Sequence, residues 1–199
     1  MYLVSLTLSI KLKITPLKKY YFALTLFCAL LAFTKVHAQR LIKLSTKFND
    51  AFVEFDLYGE NDARGSLTLT WQKPDKWTEW NFRIGDTSGT IKTKWNDDVN
   101  FWEIRYNNKI ATAQTVFQND FSRWRITNNN FSLELAPANL NNPNEWWVED
   151  SKRGSLYVAA EIPNDPRDWL VQDELSEDVP FSMRMAIIFV AIYQTIPKT

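Results

Sequence analysis

The segment from Phe181 to Ile196 constrains this chain more than any other stretch. It reads Phe-Ser-Met-Arg-Met-Ala-Ile-Ile-Phe-Val-Ala-Ile-Tyr-Gln-Thr-Ile, and Pro197 then stops it. From Met185 to Tyr193 the residues are apolar on every side, with no polar stripe. A helix that is apolar all round must be surrounded by protein rather than laid on a surface. The run is also shorter than the roughly 20 apolar residues a bilayer span needs. A helix over about 181–196, enclosed by the rest of the chain, is the expectation.

The other apolar run lies at the N-terminus. Lys18 and Lys19 precede Tyr20 to Phe33, and Val36-His37-Ala38 follows with small residues at cleavage-type positions. Charge, apolar run and small residues in that order form a secretory signal. Residues 1–38 are therefore read as a signal peptide cleaved after Ala38. The alternative is an uncleaved anchor, which would make the protein membrane-associated. Residues 39–199 form a single domain, exported to the periplasm, the cell envelope or the exterior of a bacterium.

Cleavage changes the chemistry on offer. The only Cys, Cys28, and the only His, His37, leave with the leader. The remaining 18 Lys+Arg and 23 Asp+Glu give a net charge of −5. Without thiolate or imidazole, zinc sites and triads built on those groups are excluded. A net acidic domain also argues against nucleic-acid binding, which depends on neutralising phosphates. Nine Trp and 15% aromatic residues supply a large core.

Between the two apolar runs, period-two alternation recurs with turn residues between, as in antiparallel strands. Strands are expected over 51–57, 66–71, 77–84, 90–95, 101–106, 109–117, 121–127, 131–135, 155–162 and 169–171. Pro74-Asp75, Asn107-Asn108 and Asn128 to Asn130 mark turns. Ala136 to Asn144, rich in Pro and Asn, reads as a surface loop, as does the acidic stretch Gln172 to Val179. A weak echo links Arg64-Gly65-Ser66-Leu67 with Arg153-Gly154-Ser155-Leu156, read as two similar hairpins of one sheet.

Strands followed by one buried terminal helix form an uncommon order. Ser176 to Tyr193 resembles the closing segment of the tubby C-terminal-like superfamily, which includes tubby proteins, phospholipid scramblases and the LURP-one-related family. Gly89-Thr90-Ile91-Lys92, Trp102-Glu103-Ile104-Arg105 and Ile110-Ala111-Thr112-Ala113 resemble strands of the LURP-one-related branch. The resemblance implies a mainly β fold: a closed antiparallel barrel of about 12 strands around a central buried hydrophobic helix. Closure would remove exposed sheet edges. Tubby proteins bind phosphoinositide head groups, but their basic residues find no position-by-position match here. The scramblase branch's calcium loop finds none either.

Candidate sites are few. Lys92 and Lys94 share one strand face, as do Arg123 and Arg125. Together they could form an anion or head-group patch, or they are charged solvent faces flanked by Glu103 and Asp120. Trp77, Trp80, Trp146, Trp147 and Trp169 lie near turns. Trp146 and Trp147 are candidates to stack on a glycan, or these indoles fill the barrel ends. Arg184, near the helix start, is expected to pair with Glu177 or Asp178 or to reach the barrel mouth. Asp86 and Asp97-Asp98 offer oxygen ligands for calcium but no twelve-residue loop. The carboxylate pairs Asp97-Asp98, Glu149-Asp150 and Asp173-Glu174 point to opposite faces if they lie on strands, an arrangement unsuited to glycoside cleavage. The reading is a non-enzymatic exported binding or envelope-associated module without a cofactor or metal, its ligand a lipid head group or glycan. The alternatives are a secreted carbohydrate-binding domain using surface Trp, and a structural partner in an envelope protein complex.

Overall fold

The computed structural model describes residues 39–49, 51–71, 77–95, 97–139 and 142–198. The expected signal peptide over residues 1–38 and the expected turn at Pro74-Asp75 lie outside the described residues. Twelve strands are formed: β1 (Leu41–Phe48), β2 (Ala51–Gly59), β3 (Arg64–Leu69), β4 (Glu79–Ile84), β5 (Thr87–Thr93) and β6 (Phe101–Tyr106), then β7 (Lys109–Phe117), β8 (Asp120–Thr127), β9 (Ser132–Asn139), β10 (Asn142–Asp150), β11 (Gly154–Ile162) and β12 (Asp165–Asp173). Each pairs antiparallel with its sequence neighbours, and β1 pairs with β12 to close the barrel. One helix, α1 (Phe181–Thr195), follows.

The helix lies inside the barrel. Every residue from Phe181 to Tyr193 is buried. Phe181 packs against Phe82 of β4 and Tyr106 of β6, and Phe189 against Trp80 and Trp102. The helix also packs on β7, β8, β10 and β12, so walls meet it from all round the ring. Its uniform apolarity is the direct consequence.

Alternation sorts the strands into an apolar inner face and a polar outer one. Outward positions include Lys43, Asp56, Asn81, Arg83, Glu103 and Arg125. A membrane-spanning barrel carries an apolar band there instead. No helix among the described residues is long and apolar enough to cross a membrane.

Five inward residues are tryptophans, one on each even-numbered strand from β4 to β12: Trp80, Trp102, Trp124, Trp146 and Trp169. They recur every 22 residues, with a last step of 23. Each indole N–H donates to the carbonyl three residues back, on Trp77, Val99, Phe121, Pro143 and Pro166, at 2.8–3.2 Å. Buried indoles need such a partner. The residue two positions on also faces inward: Phe82, Ile104, Ile126, Val148 and Val171. One hairpin with its turns is the repeating unit. Arg64 to Leu67 opens β3 and Arg153 to Leu156 leads from the turn into β11, in two hairpins of the same sheet.

The structure corrects the sequence reading in four places. Ala136 to Asn144 is not a loop, because it supplies the end of β9 and the start of β10. A register shift between Asn142 and Trp146 accommodates Pro143, which has no N–H for the ladder. β1 was not anticipated, because a bulge between Leu41 and Lys43 breaks its alternation. β12 begins at Asp165, four residues before the expected strand, and its last residues Gln172 and Asp173 fall within the expected acidic loop. Arg184 pairs with Asp173 rather than with Glu177 or Asp178.

Candidate functional site

The barrel interior is occupied by α1 and the inward tryptophans. Among the described residues, a groove of about 580 Å³ lies on the outer faces of β3 to β7. Its floor follows from register. Thr68, Asn81, Thr90, Arg105 and Ile110 stand opposite one another in one row across five strands. Ser66, Arg83 and Ser88 form the row beside it. Short hydroxyl side chains make the depression, and the guanidinium groups wall it.

Gly89 lies beneath this floor. A β-carbon there would meet Phe82 Cζ at 2.2 Å and the Arg105 carbonyl oxygen at 2.5 Å. The Phe82 ring instead lies under the strand and stacks on Tyr106, with centroids 5.6 Å apart. The missing side chain lets β5 sit close above the core at the groove.

Three cations border the groove. Arg83 Nε donates to the Gly85 carbonyl at 3.0 Å, fixing the guanidinium beside the turn. Arg105 Nε pairs with Glu103 at 2.6 Å. Lys109 has no carboxylate partner among the described residues. A second depression of about 430 Å³ shares Asn108, Lys109 and Ile110 with the first and runs on to Asn128–Asn130 and Asp178. The two adjoin at Lys109 to form one trough, the first part lined by Phe82, Tyr106 and Ile110 as well as by polar groups. Guanidinium forks and hydroxyls suit a planar or tetrahedral anion. Among the described residues, no group of three His, Cys, Asp or Glu could hold a metal ion.

The sequence-derived candidates are dispersed. Lys92 stands between Glu79 and Glu103 on neighbouring strands, one row above the groove. The Lys94 ammonium lies over the Phe101 ring, 4.6 Å from its centroid. Arg123 pairs with Glu134 at 3.3 Å, and Arg125 also stands opposite Glu134. Lys94 and Arg125 share a row with Phe101 and Gln114 between them, about 14 Å apart at the usual strand spacing. The structure keeps each pair on one face but does not bring the four residues together. Trp146 and Trp147 point to opposite faces: Trp146 is buried, while Trp147 is 39% exposed and packs edge-on against Tyr157. Only Trp147 of that pair could stack on a ligand. Trp80 and Trp169 fill the interior, and Trp77 is buried beside Trp80. Asp97 accepts from the Thr78 hydroxyl, and Asp98 accepts from Asn100, so both are engaged in shaping their loop.

The groove residues were not singled out from the sequence. They come from five strands, and only the register puts Arg83, Arg105 and Lys109 around one depression. The signal that could have found them was the cluster of small polar outward residues Ser66, Thr68, Ser88 and Thr90, unusual beside the charged residues of the other strands. No protein-family model, curated protein or solved structure matches this chain.

Proposed function

We propose that the domain is a non-enzymatic binding module of the bacterial envelope, of tubby-like architecture, that takes a small polar anion in the trough outside β3 to β7. The observation that carries this reading is the contrast between a filled interior and an outer groove of about 580 Å³ bordered by Arg83, Arg105 and Lys109. Unsubstituted hydroxyls on its floor offer hydrogen bonds to a phosphate or carboxylate and to the sugar or glycerol carrying it. The leader supports export. The closed twelve-stranded barrel with its terminal helix is the architecture that the tubby-like resemblance implies.

Titration calorimetry of the full chain with inorganic phosphate, a hexose phosphate and a neutral hexose tests the reading. The anionic ligands bind and the neutral hexose does not, and Arg83→Ala with Arg105→Ala abolishes the heat. Failure of both anionic ligands, or binding that survives the double substitution, contradicts the proposal.

A further inference from the structure

The trough is longer than a small anion needs. The row from Thr68 to Ile110 crosses four strand steps, about 19 Å at the usual spacing. Beyond Ile110 the second depression continues to Asn128–Asn130, in the turn between β8 and β9. The two depressions, of about 580 and 430 Å³, are each large enough for a sizeable organic ligand. A single anionic group beside Arg83 leaves most of this length empty, so the occupant that fits is a chain.

We propose that the trough binds an acidic oligosaccharide laid across the strands, its acidic unit between Arg83 and Arg105 and a neutral unit over Asn129 and Asn130. This rests on the anion-binding reading above and adds the rest of the ligand. The hydroxyls of Ser66, Thr68, Ser88 and Thr90 make no hydrogen bond among the described residues, so they can both donate to and accept from sugar hydroxyls. At the far end, Asn128 Oδ1 accepts the N–H groups of Asn130 and Phe131 and holds the turn. The exposed side chains of Asn129 and Asn130 make no such bond among the described residues. Ile110, 47% exposed where the depressions meet, offers an apolar seat to the C–H face of a sugar ring.

Charge and shape select this class over other chains. Around the trough the charges are mostly paired: Lys47 with Glu54, Lys92 between Glu79 and Glu103, Arg105 with Glu103, and Arg153 with Asp178. Arg64 lies over the Tyr58 ring, and Asp56 stands opposite Ser66. Arg83 and Lys109, both lining the first depression, have no carboxylate partner among the described residues. A ligand charged on every unit meets Asp56, Glu103 and Asp178 along the way, whereas one with acid on alternate units brings its carboxylate to the cations alone. The rings that line the trough give a nucleobase no open face to stack on. Phe82 is buried against Tyr106, and the Tyr106 hydroxyl donates to Gln39 Oε1 at 2.9 Å. A peptide strand adds to a sheet edge, and the closed barrel has none.

The test is titration calorimetry of the full chain with hyaluronan hexasaccharide, in which glucuronate alternates with a neutral amino sugar. Glucuronic acid, neutral chitohexaose, hexagalacturonate and a short oligothymidylate are the comparisons. The hyaluronan hexasaccharide binds at least roughly tenfold tighter than glucuronic acid, because the hydroxyl and amide contacts add to the carboxylate's. It also binds tighter than the neutral, the fully acidic and the nucleic-acid chains. Asn129→Ala/Asn130→Ala lowers the ratio of hexasaccharide to glucuronic acid affinity roughly tenfold. Neither residue holds a positive φ, so the turn accepts alanine, and thermal melting verifies folding. Arg83→Ala/Arg105→Ala abolishes binding of both ligands. A hexasaccharide that binds no tighter than glucuronic acid overturns the proposal, as does a ratio unchanged by the Asn129/Asn130 double substitution. Tighter binding of hexagalacturonate, chitohexaose or the oligothymidylate also overturns it. In each of those outcomes, binding of inorganic phosphate that needs Arg83 and Arg105 leaves the anion reading standing. Its absence removes that reading as well.

Discussion

Arg184 and Asp173 form an ion pair that is almost wholly removed from solvent, at the point where β12 hands the chain to the helix. The guanidinium also donates to the carbonyls of Val179, Leu175 and Ser176, at 3.1, 3.1 and 2.6 Å. Asp173 Oδ1 accepts in addition from the Leu175 N–H. The loop from Glu174 to Pro180 is thus folded over the barrel end around one cation. Arg40 Nη2 grips the same Leu175 carbonyl from the first strand's approach.

Removing either partner leaves the other charged and buried, which typically costs about 3–5 kcal/mol. Arg184→Met should therefore lower unfolding free energy by about that amount in urea titration. It also removes the guanidinium's bonds to three carbonyls, of which Leu175 keeps Arg40 and Ser176 keeps the Val179 N–H. Arg184→Met with Asp173→Leu should cost clearly less than the sum of the single changes, because no charge is then stranded. Additive single and double effects would contradict the pairing.

Ile188 lies at the middle of the helix and is fully buried. Ile188→Asp places a carboxylate where no cation or donor stands. The cost is several kcal/mol against a total stability of roughly 5–15. Loss of the cooperative melting transition is expected. A normal transition would mean the helix is not enclosed.

How much of this was legible follows from which residues carry the signal alone. The helix declares itself because thirteen consecutive positions, Phe181 to Tyr193, all meet protein. Asn107 and Asn108 announce their turn because both adopt positive φ, of 47° and 58°, which asparagine tolerates. β1 and β10 were hidden because bulges at Leu41/Lys43 and Asn142/Trp146 interrupt the period of two. Trp146 and Trp147 could not be separated until the register set one inward. The partner of Arg184 was misplaced because Glu177 and Asp178 lie nearer in sequence, and only the end of β12 aims Asp173 at the helix. The groove is a product of cross-strand register, which no single strand encodes.

Gly89 couples the core to the groove. Gly89→Ala forces the new methyl against a backbone oxygen as well as the Phe82 ring, so the strand itself must shift. Overpacking of this kind costs about 1–3 kcal/mol. The same shift displaces Thr90 and Arg105, so anion affinity should fall together with stability. Gly89→Ala/Phe82→Leu should recover part of the stability by clearing the ring. Full stability in the single variant would show that β5 does not sit as close as described.

The indole anchors predict a difference between two tryptophans of similar size. Trp124 is fully buried and donates to the Phe121 carbonyl at 3.0 Å, whereas Trp147 is outward and donates to nothing among the described residues. Trp124→Phe loses that bond and leaves unfilled volume, for about 1–3 kcal/mol. Trp147→Phe should stay within about 0.5 kcal/mol. Equal effects in denaturant titration would argue against a structural role for the repeated indole bond.

Tyr193 sets an alkaline limit. Burial pushes its phenol up to about 12 from an ordinary value of 10.0. The folded chain then holds the proton over a range in which the unfolded chain has released it. Stability present below pH 10 is therefore lost progressively as pH rises toward 12, by about 2–3 kcal/mol. Lys198, whose ammonium lies over the Tyr193 ring, is shifted the other way, its pKa lowered by burial. Its desolvation cost is relieved as pH climbs toward 10.5, so its contribution rises before the phenol's falls. Tyr193→Phe should remove the loss above pH 10 while leaving the Lys198 gain in place. Denaturant titrations of both chains from pH 8 to 12 measure this, and parallel pH profiles would show that the phenol is not enclosed at the end of the helix.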